Sequence, residues 1–133
     1  MKYDLSLDSR NFYKIAEETK NLIHTSPVFS AAEKLSIDVT SYGHIGEGNV
    51  RLIVCIPGYD NTDLQDRLSQ VVDAFVFEYV KRVRGSVSAE HGVGLQKAQY
   101  LGYSKSPEMI HYMKEIKKVF DPEGIMNPYK VLP

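Results

Sequence analysis

With 133 residues, the chain is long enough to bury a hydrophobic core without disulfides to hold it together. Its 16 basic and 17 acidic side chains give a formal net charge of −1, so the composition does not favour nucleic acid or an anionic membrane surface as a partner. No apolar run reaches the roughly 18–20 residues that span a bilayer, and no signal peptide is visible.

The single cysteine, Cys55, cannot form an intramolecular disulfide and lies in the apolar run Leu52–Ile56. We expect a buried, reduced thiol. Such a thiol favours a reducing compartment, which is the cytosol or the mitochondrial matrix.

The first half of the chain predicts the order strand, helix, strand, strand. Its elements are the strand Lys2–Leu7, a helix from a cap at Asp8 or Ser9 to about Ile23, a loop at His24–Lys34 with a short turn at Ser30–Glu33, the strand Leu35–Tyr42, a glycine-rich turn at Gly43–Asn49, and the strand Val50–Ile56, which Pro57–Asp60 ends. Because the first strand begins directly after Met1, we expect a truncated start.

The second half predicts a long helix, a strand and further helices. Its elements are a helix that a capping box of Thr62 and Gln65 begins and Gly85 ends, the strand Val87–Glu90, one or two helical turns at Leu95–Leu101, and a last helix from Ser106 to about Phe120. The order predicts an α+β fold: a ferredoxin-like antiparallel sheet with helices on one face and a C-terminal helical extension.

Two polar, glycine-flanked clusters predict one shared functional site. The first contains His44, and the second contains the adjacent pair Glu90 and His91, which Gly92 follows. Imidazole and carboxylate groups are good ligands for zinc or a similar divalent metal, and a histidine also suits proton transfer near neutral pH. Neighbouring strand residues point to opposite faces, so the pair serves two roles only if the strand ends there, as Gly92 allows. The alternative is a pair of surface polar residues at a strand end.

Two cations, Lys2 and Arg51, occupy strand positions. Arg51 interrupts the start of an otherwise apolar strand, and a charge there needs a partner. The candidates are Glu47 across the turn, Glu90, and an anionic ligand. The residues alone leave these three alternatives open.

Other polar groups carry weaker signals. The turn Gly43–Asn49 lacks the lysine and the spacing of nucleotide-binding loops, so we expect it to present His44 rather than to bind phosphate. His24 lies in a polar loop and His111 on the polar side of the last helix, and we expect both to face solvent. Lys97 is near enough in sequence to reach the site, although a lysine on a short helix is usually solvated.

Several segments, in the right order, resemble FAD-linked 2-hydroxyacid dehydrogenases and oxidases. Gly43–Asn49 resembles their GH-x-G-[DE]-GN motif, Ser86–Gly94 their GSVSAEHGVG motif, and Phe120–Lys130 their closing FDPxGIxNP segment. The segments Lys2–Leu7 and Gly102–Lys105 are most similar to the mitochondrial D-2-hydroxyglutarate and D-lactate dehydrogenase branch. The resemblance covers nearly the whole chain apart from about residues 21–40, where the connection is longer.

The resemblance implies that residues 1–133 form a single domain, the C-terminal substrate domain of a flavoenzyme whose N-terminal FAD-binding domain is absent from this chain. It implies oxidation of a D-2-hydroxy acid, 2-hydroxyglutarate or lactate, to the 2-oxo acid by hydride transfer to flavin. Electrons would pass to an acceptor such as electron-transfer flavoprotein or cytochrome c. The location would be the mitochondrial matrix in a eukaryote and the cytoplasm otherwise. The chain alone is expected to be inactive.

The resemblance also implies roles for individual residues. His44 and Glu90 match metal ligands, and His91 matches the histidine that takes the hydroxyl proton. Lys2 matches a lysine that binds the substrate carboxylate. Asn127 lies in the tail that approaches the flavin, which the other domain would mainly hold.

Arg51 and Ile53 depart from the family pattern. The family reads GN-x-H-x-N after the glycine turn, so Arg51 stands at a metal-ligand position and Ile53 at that of a substrate-contacting asparagine. A guanidinium stays protonated and repels a cation, so Arg51 either pairs with Glu90 or binds the substrate carboxylate.

Two other functions follow as alternatives. One is a non-catalytic or degenerate interaction module of the same fold that has lost its metal site. The other is a self-contained ferredoxin-like protein that binds a metal or a small acid. On the dehydrogenase interpretation, we also expect an exposed apolar face that the absent domain covers.

Overall fold

The architecture comes from a computed structural model, which describes residues 1–58 and 61–133. Its regular elements are the strands β1 (Lys2–Ser6), β2 (Asp38–His44) and β3 (Asn49–Cys55) and the helices α1 (Phe12–Thr25), α2 (Ala31–Ser36), α3 (Thr62–Arg82) and α4 (Pro107–Phe120). The strands form one antiparallel sheet in the order β1-β3-β2. Short 3₁₀ turns lie at Ser9–Asn11, Ile45–Glu47 and Ala98–Tyr103. The predicted α+β class is confirmed.

Alternation along the strands gives the sheet one apolar face and one polar face. Leu5, Val50 and Leu52 are fully buried, and they share one hydrophobic core with side chains of α1 and α3. The opposite face carries Asp4, Arg51 and Tyr42, which are adjacent across the three strands. The polar face is therefore where groups are left for binding and chemistry.

Capping explains why α2 replaces a predicted loop. The Ser30 side chain accepts a hydrogen bond from the Glu33 N–H while the Glu33 carboxylate accepts one from the Ser30 N–H, so both groups begin a helix. The prediction that a strand begins at Leu35 is wrong, because Leu35 belongs to this helix and is 86% exposed. The strand begins instead at Asp38.

Other local predictions are corrected in smaller ways. Asn61, rather than Thr62, caps α3, since its side chain accepts from the Leu64 N–H at 3.1 Å. Cys55 is exposed, not buried, because it lies at the end of β3 on the side of the strand that Arg51 shares. Because the thiol is exposed, it gives no argument about the redox compartment.

The predicted fourth strand, Val87–Glu90, is absent, and the segment makes only an isolated bridge between Ser86 and Ser6 of β1. This bridge lies beside β1, where a ferredoxin-like sheet would have its fourth strand. The Val87 N–H donates instead to the Ser104 hydroxyl at 2.8 Å, and the Ser86 hydroxyl donates to the Ser88 carbonyl at 2.8 Å. Side-chain hydroxyl groups therefore bind backbone N–H and C=O groups that would pair with a neighbouring strand in a sheet.

The predicted break at Pro57–Asp60 runs into residues 59 and 60, which lie outside the described residues. None of the helices in the described ranges is long and apolar enough to cross a membrane. The last helix, α4, buries none of its residues, so its apolar side is left exposed.

Gly43 is a position at which the β2–β3 pair leaves no room for a side chain. A Cβ atom there would lie 2.1 Å from the carbonyl oxygen of Asn49, a backbone atom of the neighbouring strand. We expect Gly43→Ala to lower the free energy of unfolding by about 2 kcal/mol, measured by urea denaturation. The control is Gly46→Ala, where a Cβ would meet nothing within 4 Å. Equal losses in the two variants would contradict this packing.

Candidate functional site

A buried carboxylate holds the loop that carries Glu90 and His91. Asp4 is only 3% exposed. Its Oδ2 accepts hydrogen bonds from the backbone N–H groups of Ala89, Glu90 and His91, at 3.0, 3.1 and 3.0 Å, and from the Ser88 hydroxyl at 3.3 Å. Burial by itself raises the pKa of Asp4, but the N–H groups of His91 and Ala89 outweigh it and hold that pKa below its usual range. Asp4 is therefore an ionised anchor for the loop.

Lys97 holds the same loop from its carbonyl side. Its ammonium Nζ donates to the backbone oxygens of Asp4 at 3.2 Å and Val87 at 2.9 Å. Burial lowers the pKa of Lys97, and the nearby Asp4 charge partly offsets that effect. The expectation that Lys97 is solvated is wrong. Together Asp4 and Lys97 bind the N–H and C=O groups that a fourth strand would have paired with β1.

Of the two carboxylates that the sequence leaves open as partners of Arg51, the structure pairs it with Glu90. Its Nη2 forms an ion pair with Oε1 of Glu90 and lies 3.5 Å from Nε2 of His91. Its guanidinium carbon lies 5.9 Å from the centre of the Tyr42 ring. Glu47 forms no ion pair with Arg51 among the described residues. A guanidinium only donates hydrogen bonds, so Nε2 of His91 can accept one from Arg51 in the tautomer in which Nε2 carries no proton.

His91 also opens onto a groove that Lys2 lines. The groove has a volume of about 500 Å³, and Asp4 and residues 91–97 complete its wall. Lys2 is exposed and has no ion-pair partner within residues 1–58 and 61–133. Gly92 has a φ of 77°, the left-handed turn expected where the polar pair ends. A small anion that enters this groove meets both an ammonium and an imidazole.

Two predicted site residues lie outside this cluster. His44 is exposed at the end of β2. Asn127 is in the C-terminal tail, where its Oδ1 accepts from the Lys130 ammonium at 3.3 Å, and it lines a second groove beside α4. Their roles at the metal and the flavin stay predictions. The described groups whose ligand atoms lie within 4.8 Å of one another are Asp4, Glu90 and His91.

The possible metal ligands of this cluster, Asp4, Glu90 and His91, do not fit a divalent cation. Glu90 is already paired with the guanidinium of Arg51, which stays protonated and would repel a metal ion. Oδ2 of Asp4 accepts four hydrogen bonds, and Oδ1 is sealed from solvent with no partner among the described residues. Nε2 of His91 faces Arg51. Metal binding through His44 and Glu90 stays a prediction, and this ion pair is the argument against it.

Sequence reasoning missed Asp4 and underrated Lys97. The alternation of β1 places Asp4 on the polar side, and that pattern predicts an exposed carboxylate. The signal lies in the loop, where three successive backbone N–H groups at 89–91 need acceptors because no strand pairs with them. Which acceptor they find depends on contacts 85 to 87 residues apart, which no local pattern reveals.

Comparison with known proteins finds one matching family model, described as FAD linked oxidases, C-terminal domain, over residues 1–131. A mitochondrial D-2-hydroxyglutarate dehydrogenase of Arabidopsis thaliana is 40% identical over 132 residues, which is 99% of this chain and 21% of that protein. A mitochondrial protein of Schizosaccharomyces pombe, named provisionally as a D-lactate dehydrogenase, is 45% identical over 97% of this chain and 24% of its own length.

A D-2-hydroxyglutarate–pyruvate transhydrogenase of Saccharomyces cerevisiae is 34% identical over 98% of this chain and 25% of its own length. The chain therefore spans between a fifth and a quarter of these curated relatives. The similarity runs through the loop that Asp4 holds.

We expect Asp4→Asn to release that loop, because it replaces an ionised acceptor of several hydrogen bonds by a neutral amide. Hydrogen exchange at the amides of residues 89–91, measured by NMR, should become about tenfold faster or more. The control is Asp38→Asn, whose side chain is 73% exposed on β2. Unchanged exchange in Asp4→Asn would show that the loop is held by other contacts.

Proposed function

The chain belongs to the C-terminal domain family of FAD-linked oxidases, and from that premise we propose that it is the substrate-binding part of a FAD-dependent dehydrogenase that oxidises a D-2-hydroxy acid to the 2-oxo acid. The relatives named as D-2-hydroxyglutarate and D-lactate dehydrogenases support the substrate class. The observation that carries the proposal is the groove that Lys2 and His91 share. A 2-hydroxy acid needs a cation for its carboxylate and a base for its hydroxyl, and this groove offers both.

The oxidation removes a hydride from C2 and a proton from the hydroxyl group, so that C2 and its oxygen become a carbonyl. FAD, when bound, would accept the hydride and its two electrons. In this chain, Nε2 of His91 would take the hydroxyl proton. The Lys2 ammonium would hold the carboxylate and orient the C2–H bond. Arg51 would lie beside this base, with its Nη2 at 3.5 Å from Nε2.

We propose that the flavin-binding region of the protein covers the apolar side of α4 and the tail. Ile116, Phe120 and Met126 are 60%, 79% and 62% exposed, and with Asn127 they line a groove of about 600 Å³. Monomeric proteins rarely expose so continuous an apolar surface. The relatives are four to five times longer than the part that this chain matches, which provides a domain to cover it.

The remaining partners are proposed on the same premise. Electrons would leave the flavin for an acceptor such as electron-transfer flavoprotein or cytochrome c. The mitochondrial names of the relatives from Arabidopsis thaliana and Schizosaccharomyces pombe support a mitochondrial location. Within the mitochondrion, we propose the matrix.

A non-catalytic module of the same fold is the second candidate function. The ion pair between Arg51 and Glu90 favours it, because it engages a carboxylate beside the proposed base. The two functions differ in one observable, which is whether a 2-hydroxy acid reduces the flavin of the protein that carries this chain.

In that flavoprotein, we expect His91→Gln to slow anaerobic flavin reduction by D-2-hydroxyglutarate or D-lactate by about 10²–10⁴-fold, with little change in KM, because it removes the proton acceptor. Lys2→Met should instead raise KM about tenfold or more, since it removes a charge that binds the carboxylate. His111→Gln is the control, because His111 is an exposed histidine of α4. If His91→Gln and His111→Gln reduce flavin equally fast, His91 is not the base; if the unmodified flavoprotein is not reduced, the non-catalytic module is favoured.

A separate prediction concerns the apolar surface. We expect the 133-residue chain to self-associate at high concentration in light scattering, and the double variant Ile116→Ser with Phe120→Ser to be more monomeric. The control is Leu35→Ser, since Leu35 is even more exposed than Ile116 and Phe120 but lies on α2 and does not line this groove. A monodisperse monomer for the unmodified chain would contradict the proposal that this surface is normally covered.

A further inference from the structure

We infer that the guanidinium of Arg51 takes the place of a divalent cation in this site, so that Glu90 and His91 work without a bound metal. The cluster contains the kinds of side chain that usually bind a metal ion. Asp4, Glu90 and His91 bring two carboxylates and an imidazole within 4.8 Å of one another. Such a set would ordinarily attract zinc or a similar ion.

The position of one nitrogen atom supports the inference. Nη2 of Arg51 contacts Oε1 of Glu90 and lies 3.5 Å from Nε2 of His91. These two acceptor atoms are 3.6 Å from each other. Nη2 of Arg51 therefore lies beside both of the ligand atoms that a bound metal ion would have to bridge. An ion placed between them would meet a fixed positive charge at contact distance.

The guanidinium is held in this position by the sheet. Arg51 lies in the central strand, between Asp4 of β1 and Tyr42 of β2. Its side chain is 24% exposed, and its Nε is buried. Tyr42 contributes a ring near the charge. Because the central strand fixes the backbone of Arg51 between its two neighbours, moving the guanidinium away would break its ion pair with Glu90.

The replacement changes what the site offers to a substrate. A guanidinium carries one charge and stays protonated at any working pH, whereas a metal ion carries two and exchanges with the medium. The site would therefore be insensitive to chelators. The site would bind a hydroxyl or carboxylate oxygen of the substrate through N–H groups of the guanidinium, and not through a metal ion.

The test is zinc binding by the 133-residue chain, measured by isothermal titration calorimetry, with the ring signals of the four histidines followed by NMR. We expect no stoichiometric zinc binding to the native chain. Arg51→His supplies a ligand and removes the charge, and it should bind one zinc ion at least about tenfold more tightly, with shifts in the His91 ring. Arg51→Gln removes only the charge, and it should also bind zinc more tightly than the native chain, which keeps the test valid if Arg51→His does not fold.

The matched control is Arg82→His, because Arg82 is also paired with a carboxylate, that of Glu18, but lies on α3 away from the site. It should gain no comparable affinity. Stoichiometric zinc binding by the native chain that Glu90→Gln abolishes would overturn the inference. Failure of both Arg51 variants to bind zinc would overturn it as well, since the guanidinium would then not be what excludes the ion.

The inference rests on the proposed function only in regarding this site as the reaction site. Zinc titration needs no turnover, so its failure is distinguishable from failure of the dehydrogenase proposal.

Discussion

The arrangement of the candidate site depends on the carboxylate of Asp4. One of its oxygen atoms, on the polar side of β1, binds three consecutive backbone N–H groups and a hydroxyl from the loop at residues 88–91. Hydrogen bonds to an ionised acceptor contribute about 1.5–3 kcal/mol each, more than neutral ones. This set is enough to determine where the loop lies relative to the sheet. Glu90 and His91 are brought to Arg51 because Asp4 and Arg51 are neighbours across the strands.

The ion pair of Arg51 with Glu90 has more chemical than structural importance. Glu90 is 40% exposed, and partly exposed ion pairs contribute at most about 1 kcal/mol to stability. Its effect on the proposed reaction would be larger, because it determines the charge beside the imidazole of His91. A single residue of β3 thus separates two kinds of site, one that recruits a metal ion and one that carries its own cation.

The sequence predicted those parts of the fold that depend on local periodicity. The alternation in β1 and β3 and the apolar spacing in α3 are confirmed, because each reports a face buried in the same core. The family motifs pointed to His91 and Lys2, which the structure brings to one groove. What these patterns could not provide were contacts between a side chain and a distant backbone.

The failures follow from that limit. The segment Val87–Glu90 has the alternation of a strand, yet Asp4 and Lys97 bind its backbone polar groups and the segment forms no ladder. The sequence pattern predicts a strand from Leu35 and only a turn at Ser30–Glu33, whereas the capping box of Ser30 and Glu33 begins a helix that includes Leu35. Similarly, the partner of Arg51 depended on a loop 39 residues farther along the chain, and only the folded arrangement chose Glu90 over Glu47.

A flavin-dependent oxidation is tested most directly on the native polypeptide, isolated from its source cells with an antibody against this chain. Its mass and absorption spectrum would be recorded before and after anaerobic addition of D-2-hydroxyglutarate, D-lactate and their L enantiomers. We expect a polypeptide several times larger than the 15.1 kDa of this chain, whose flavin absorption is lost with a D enantiomer only. A polypeptide of 15.1 kDa that carries no flavin and brings no flavoprotein with it would contradict the proposed function.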